Sequence, residues 1–202
     1  MIAIIDYGAG NLSSVKKALD YLGAENEITK DRDRILSASH VILPGVGSFG
    51  DAMESMQRRG LVETVKQAAC EKPFLGICLG LQLLFEESEE SEGVKGLGLL
   101  GGRIKAIPRV DGLKVPHMGW NSVSVKQQDG IFSGIDDGSY FYFVHSFYLD
   151  GADSDAVAGT TEYGVNIECA VQRGNLCATQ FHPEKSGAVG LKLLRNFIEM
   201  GV

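Results

Sequence analysis

Pro73-Phe74-Leu75-Gly76-Ile77-Cys78-Leu79-Gly80-Leu81-Gln82 decides how the chain folds and where its chemistry sits. Phe74 to Ile77 is a short apolar run, the pattern of a buried strand, and Leu79 to Phe85 resumes at helical spacing. A strand that feeds straight into a helix, with a glycine two residues either side of one cysteine, reads as a nucleophile elbow. A bulkier side chain at Gly76 or Gly80 would crowd that turn. The thiolate is the reactive form of cysteine, and a place at a helix N-terminus beside a histidine favours it. By local context alone Cys78 also fits a small buried core residue.

Outward from the elbow the same grammar repeats. Ile2 to Asp6 reads as a buried strand ending in a glycine-rich turn, with Asn11 and Ser13 as cap candidates for a helix running to about Leu22. Val41 to Leu43 is a strand that stops at Pro44-Gly45-Val46-Gly47, and helical stretches from Phe49 to Met56 and Leu61 to Ala69 follow. Such alternation predicts an α/β fold with a parallel sheet, helices on both faces, and ligands at the carboxyl ends of the strands. The second half changes to short strand-like runs: Ile104 to Ile107, Val123 to Val125, Tyr140 to Val144, Ala156 to Thr161, Ile167 to Val171 and Leu176 to Phe181. They predict an antiparallel extension, with a hairpin turn at Gln172-Arg173-Gly174-Asn175. Ala188 to Met200 closes the chain as an amphipathic helix. With no repeat and no linker, residues 1–202 read as one domain. The acidic run Glu86 to Glu92 reads as a solvated loop.

Phe181-His182-Pro183-Glu184 supplies the partners a thiol needs. A residue before proline is pushed toward extended backbone, and residues two apart on extended chain point to one side. Glu184 can therefore reach His182, fix its tautomer and leave the other ring nitrogen to take a proton from Cys78. Alone, the pair also fits a surface ion pair. Developing negative charge on a substrate carbonyl needs donors: Leu79 N–H at the helix start is one, and a backbone amide near Val46 or Gly47 is the second.

Other classes are excluded by composition. With 26 acidic against 19 basic residues, a net charge of −7 and no basic block, nucleic acid is not an expected partner. The four cysteines form no CxxC pair and no metal-like spacing with the four histidines, so neither metal nor cofactor is expected. Cys169 and Cys177 flank the hairpin turn and could face each other, although reduced thiols are expected. No apolar run is long enough to cross a membrane and the opening segment does not read as a secretory signal, which predicts a cytoplasmic protein.

Taken in order, five segments resemble class I, triad-type glutamine amidotransferases. They are Ile4 to Leu12, Pro44 to Met53, Gly76 to Phe85, Pro116-His117-Met118-Gly119-Trp120-Asn121, and Ala178 to Ser186. The elbow and the histidine–glutamate pair are shared across that superfamily. The opening Asp-Tyr-Gly-Ala-Gly-Asn and the Pro-His-Met-Gly-Trp-Asn segment resemble in particular its glutaminase subunits of imidazole glycerol phosphate synthase. The resemblance implies a flavodoxin-like open mixed sheet, largely parallel, and a triad in which Cys78 attacks the side-chain amide of L-glutamine, His182 shuttles the proton and Glu184 orients it. It implies substrate contacts at Gln82, Glu90, Ser146 and Phe147. It further implies a heterodimer with a (β/α)8 cyclase subunit that takes the ammonia into histidine biosynthesis, docked through Asn11, His117, Met118, Trp120, Tyr142 and Lys185. His145 stands open between core and site. Gly101-Gly102 and Phe147 depart from the proline-glycine and tyrosine frequent in relatives. A glutaminase serving another synthase, a cysteine peptidase or redox protein, and a non-catalytic binding subunit remain alternatives.

Overall fold

Strands buried on both faces build the molecule from the centre outward. The computed structural model describes residues 1–8 and 10–201. Its first half supplies β1 (Ile2–Ile5), α1 (Leu12–Tyr21), β2 (Asn26–Thr29), α2 (Arg32–Ser37), β3 (His40–Gly45), α3 (Phe49–Arg58), α4 (Val62–Glu71), β4 (Phe74–Cys78) and the single-turn α5 (Leu79–Gln82). The second half supplies β5 (Arg103–Ala106), β6 (His117–Ser122), β7 (Ser124–Val125), β8 (Tyr140–His145), β9 (Phe147–Asp150), β10 (Val157–Glu162), β11 (Asn166–Arg173), β12 (Leu176–Thr179) and α6 (Gly187–Ile198).

Eight strands form one sheet in the order β2-β1-β3-β4-β12-β11-β10-β7. The five strands from β2 to β12 run parallel, and β11, β10 and β7 continue antiparallel. The expected open mixed sheet with its antiparallel extension is therefore present, although two of the runs assigned to that extension lie outside it: β5 pairs with β9 and β8 with β6 in separate two-stranded antiparallel ribbons. Successive residues of a strand face opposite ways. Ala3, Ile5, Val41 and Leu43 accordingly pack under α2, α3 and α4, while Ile2, Ile4, Ile42, Leu75 and Ile77 pack under α1 and α6. Each face carries its own apolar cluster, as a doubly covered sheet requires. Among the described residues no helix is long and apolar enough to cross a membrane.

Three expectations need correction. The helix expected to reach Phe85 stops after one turn at Gln82. The Leu83, Leu84 and Phe85 carbonyls that would continue it are taken instead by the N–H groups of Leu97, Leu99 and Gly98. The acidic run is no freely solvated loop: Glu90 accepts from Phe49 N at 2.7 Å, Glu89 from Ala106 N at 2.8 Å, and Ser91 Oγ from Gly50 N at 3.0 Å. Cys169 and Cys177 do not face each other, because the register sets Cys177 opposite Gln172; both are free and buried.

Candidate active site

Cys78 ends the central strand β4 in a backbone state that strand–helix continuity forces on it. Its φ of 56° and ψ of −110° make it the one non-glycine residue at positive φ among those described. Such strain costs of order 1–3 kcal/mol and persists only where the surroundings over-determine it. Here two glycines do so. A Cβ on Gly76 would lie 2.8 Å from Gly80 O, and one on Gly80 only 1.8 Å from Leu43 O. The backbone of α5 therefore crosses directly over β3, which lifts the Cys78 side chain out of the sheet. Leu79, first residue of the turn, has no intrahelical acceptor for its N–H.

His182 is delivered by the next strand over. β12 pairs parallel to β4, and the chain beyond it reaches His182 with φ −98° and ψ 97°, the extended state expected before proline. Its main chain is clamped to β8: His182 N donates to Tyr142 O at 2.9 Å, and the Ser186 hydroxyl donates to His182 O at 2.7 Å while accepting from Tyr142 N. Glu184 Oε1 lies 2.8 Å from His182 Nδ1, both side chains being almost wholly buried. The acceptor on Nδ1 puts that nitrogen's proton there and leaves Nε2 to face the thiol.

His182 Nε2 and Glu184 Oε2 have no hydrogen-bond partner, and Cys78 Sγ sits 3.9 Å from Val144 O. Sulfur and imidazole are nevertheless close enough to couple. Burial by itself lowers the His182 pKa; its interactions with Cys78 and then with Glu184 outweigh that and raise it to about 9. With Nδ1 held by Glu184, Nε2 is the ring nitrogen left to take a proton from the thiol.

A cleft of about 360 Å³ opens over this pair, lined by Val46, Gly47, Cys78, Leu79, Gln82, Glu90, Pro116, Val144, His145, Ser146, Phe147, His182 and Lys185. Every residue expected to touch substrate or oxyanion lies on it. Gly47 has φ 101°, a state glycine tolerates, and Val46 beside it is exposed to the cleft. Glu90 caps α3, the helix that begins where this loop ends. Phe147 offers something other than its carbonyl, since that oxygen already accepts from Gln82 Nε2 at 3.1 Å and from His145 Nδ1 at 2.9 Å.

The expected docking residues divide. Met118 and Trp120 are 63% and 56% exposed on the outward face of β6, Trp120 lies edge-on to half-buried Tyr142, and Lys185 stands over the Tyr142 ring. Asn11 precedes α1 half-exposed and makes no capping bond through its side chain. His117 is buried and turned inward, 2.9 Å from His145 Nε2 and stacked between Phe143 and Tyr163, so it supports this face from beneath and presents no ring to it.

Burial lowers the pKa of His117 to about 4 and that of His145 to about 3, which keeps both neutral near pH 7. The residue sequence reasoning passed over is Gln180, wholly buried, with Nε2 3.7 Å from Cys78 Sγ. Its signal was its place in the Ala178 to Ser186 segment, two residues before the histidine.

An elbow cysteine, a histidine–carboxylate pair and a flanking glycine loop at the strand ends define a class I glutamine amidotransferase. Residues 3–200 match the family profile described as Glutamine amidotransferase class-I, and the chain belongs to that family. Within it, the chain is 54% identical over 200 residues to the imidazole glycerol phosphate synthase subunit HisH of Moorella thermoacetica, covering 98% of this chain and 94% of that one. It is 49% identical to the subunit of the same name from Methanocaldococcus jannaschii, over 99% of this chain and all of the relative. Among solved structures, a glutamine amidotransferase superposes with a TM-score of 0.76 at 19% identity over 98% of both chains. PurLQS from Thermotoga maritima gives 0.76 at 23% identity, over 98% of this chain and 96% of that one. At those identities the likeness is one of fold.

Proposed function

We propose that the chain hydrolyses L-glutamine at Cys78 as the glutaminase subunit of an imidazole glycerol phosphate synthase, passing ammonia to a (β/α)8 cyclase subunit in a heterodimer. The single observation that carries this reading is the strained elbow cysteine beside a buried, carboxylate-held His182 whose Nε2 is free. The likeness to the HisH subunits supplies the partner.

Glutamine places its carboxamide in the cleft. Cys78 Sγ gives its proton to His182 Nε2 and attacks the amide carbon; the carbonyl electron pair moves onto oxygen, where Leu79 N–H and an N–H of the Val46–Gly47 loop receive it. The imidazolium then protonates the nitrogen, the C–N bond breaks, and ammonia leaves a glutamyl thioester. Water, deprotonated by the same imidazole, attacks the thioester, and glutamate departs as the thiolate is restored. Gln82, Glu90, Ser146 and Phe147 hold the amino-acid end. Ammonia freed into water would be protonated and diluted, so the exposed Met118 and Trp120 beside the cleft suit a partner that covers it. A cytoplasmic location belongs to the same reading.

The test compares wild type with Cys78→Ala, each assembled with the cyclase. Cys78→Ala should abolish glutamine-dependent synthesis of imidazole glycerol phosphate and leave synthesis from ammonium salts intact; glutamine-dependent synthesis by the variant would overturn the assignment of the nucleophile.

A further inference from the structure

A chain of hydrogen bonds, made by side chains and one main-chain carbonyl, runs from β6, the strand bearing Met118 and Trp120, to the sulfur of Cys78. Its directions follow from one fact, that main-chain carbonyls only accept. His145 Nδ1 donates to Phe147 O at 2.9 Å, so neutral His145 accepts at Nε2 and His117 Nδ1 donates to it, also at 2.9 Å. Asn121 Nδ2 in turn donates to His117 Nε2 at 3.3 Å. On the other side of the same carbonyl, Gln82 Nε2 must be the donor to Phe147 O at 3.1 Å. Its second N–H goes to Gln180 Oε1 at 3.0 Å. The Gln180 amide is therefore locked oxygen-first toward Gln82, and its Nε2 is left facing Cys78 Sγ at 3.7 Å.

Nothing in the proton shuttle of Cys78, His182 and Glu184 uses this arrangement. Gln180 is nonetheless wholly buried and Gln82 is 5% exposed. Burying two carboxamides is costly unless their polar atoms are matched, and here the matching ends on the reactive atom. When Cys78 gives its proton to His182, the sulfur becomes an anion and an aimed N–H is worth more to it than to the thiol.

We propose that Gln180 is a further catalytic residue, the side-chain donor that orients and stabilises the Cys78 thiolate, and that His145 is its positioning residue, acting through the Phe147 carbonyl and Gln82. The proposal rests on Cys78 being the nucleophile for glutamine. It adds a donor on the sulfur, distinct from the donors on the substrate oxygen. It also joins the inner face of β6 to the nucleophile through Asn121, His117 and His145.

Gln180→Glu is the sharp test, because it is isosteric and its oxygen can still accept from Gln82 while a carboxylate oxygen replaces the N–H beside sulfur. Alkylation of Cys78 by iodoacetamide, followed across pH by mass spectrometry, needs no glutamine and so stands apart from the reading of the substrate. The expected result is an upward shift of the alkylation midpoint by about one pH unit or more, and a loss of roughly tenfold in kcat with the cyclase present, with KM within about threefold of wild type. Gln180→Leu should be impaired no more than Gln180→Glu, since it removes the donor without adding charge. For the positioning arm, His145→Leu should lower kcat about tenfold, and His145→Asn, whose Nδ2 can replace Nδ1 as donor to Phe147 O, should recover most of it. Melting temperatures report folding for each variant. A folded Gln180→Glu protein with unchanged alkylation midpoint and kcat refutes the donor role; equal loss in His145→Leu and His145→Asn refutes the positioning role. Absence of glutamine turnover in wild type with the cyclase would sink the substrate reading and leave the alkylation result to judge Gln180.

Discussion

Gly80→Ala isolates the contact that makes the elbow. The new Cβ would sit 1.8 Å from Leu43 O and 2.9 Å from Leu43 C, against a working limit of 3.0 Å, so α5 and β3 must part by 1.2 Å. Neither side can yield cheaply. Leu43 is held in the sheet opposite Gly76, and the atoms that collide are backbone. Overpacking a core costs about 1–3 kcal/mol, occasionally more, and a backbone-on-backbone clash belongs at the top of that range. At about 3 kcal/mol, a chain of this size loses roughly 6–12 °C in Tm. Gly76→Ala needs only two tenths of an ångström of relief from its 2.8 Å contact with Gly80 O, and should cost about 1 kcal/mol, roughly 2–4 °C. Differential scanning calorimetry of the two variants beside wild type gives the order, and ammonia release from glutamine should fall in the same order as Leu79 N–H moves. A Gly80→Ala protein melting within about 2 °C of wild type, or above Gly76→Ala, would refute the claim that this crossing defines the elbow.

Three further outcomes follow from particular contacts. His182, raised to about 9, contributes stability that is fully present below its ordinary value near 6.5 and is lost as pH rises through about 9; glutaminase activity should decline across the same upper limb, and Glu184→Gln, which removes one of the groups that raise it, should move that limb to lower pH in a pH–rate profile. Glu90→Ala uncovers Phe49 N at the start of α3 and should cost about 1 kcal/mol in urea denaturation, with a higher KM for glutamine because the Val46–Gly47 loop loses its anchor. Gly101→Ala should be neutral or stabilising by up to about 1 kcal/mol, since its nearest neighbour is 3.7 Å away and its backbone is not left-handed, whereas Gly102 at φ 126° tolerates no such change.

The elbow and the meeting of His182 with Glu184 were legible because single residue types are dictated there: glycines where a Cβ has no room, and a histidine made extended by the proline behind it. The parallel core was legible because buried strands are apolar on both faces. What hid was polar or two-sided. β2 reads Asn-Glu-Ile-Thr at the sheet edge, and β6 reads His-Met-Gly-Trp-Asn-Ser, with buried histidine and exposed tryptophan inverting the usual code. The acidic run hid because its value lies in backbone amides far along the chain, which no local pattern announces. Gln180 hid, and His145 stayed open between core and site, for a related reason: their hydrogen bonds depend on which atoms the fold sets opposite them, and not on composition.

The ribbon of β6 and β8 divides two kinds of inheritance between odd and even positions. His117, Asn121 and His145 point inward while Met118 and Trp120 point outward, so substitutions at 118 and 120 change the outward surface of the ribbon without replacing a side chain on its inner face. The same arrangement forbids indels. One residue inserted into either strand would exchange the two faces, exposing the histidines and burying Met118 and Trp120 in a single step. Drift in this ribbon should therefore proceed by replacement at fixed length, with the outward positions free to wander while the inward ones stay put.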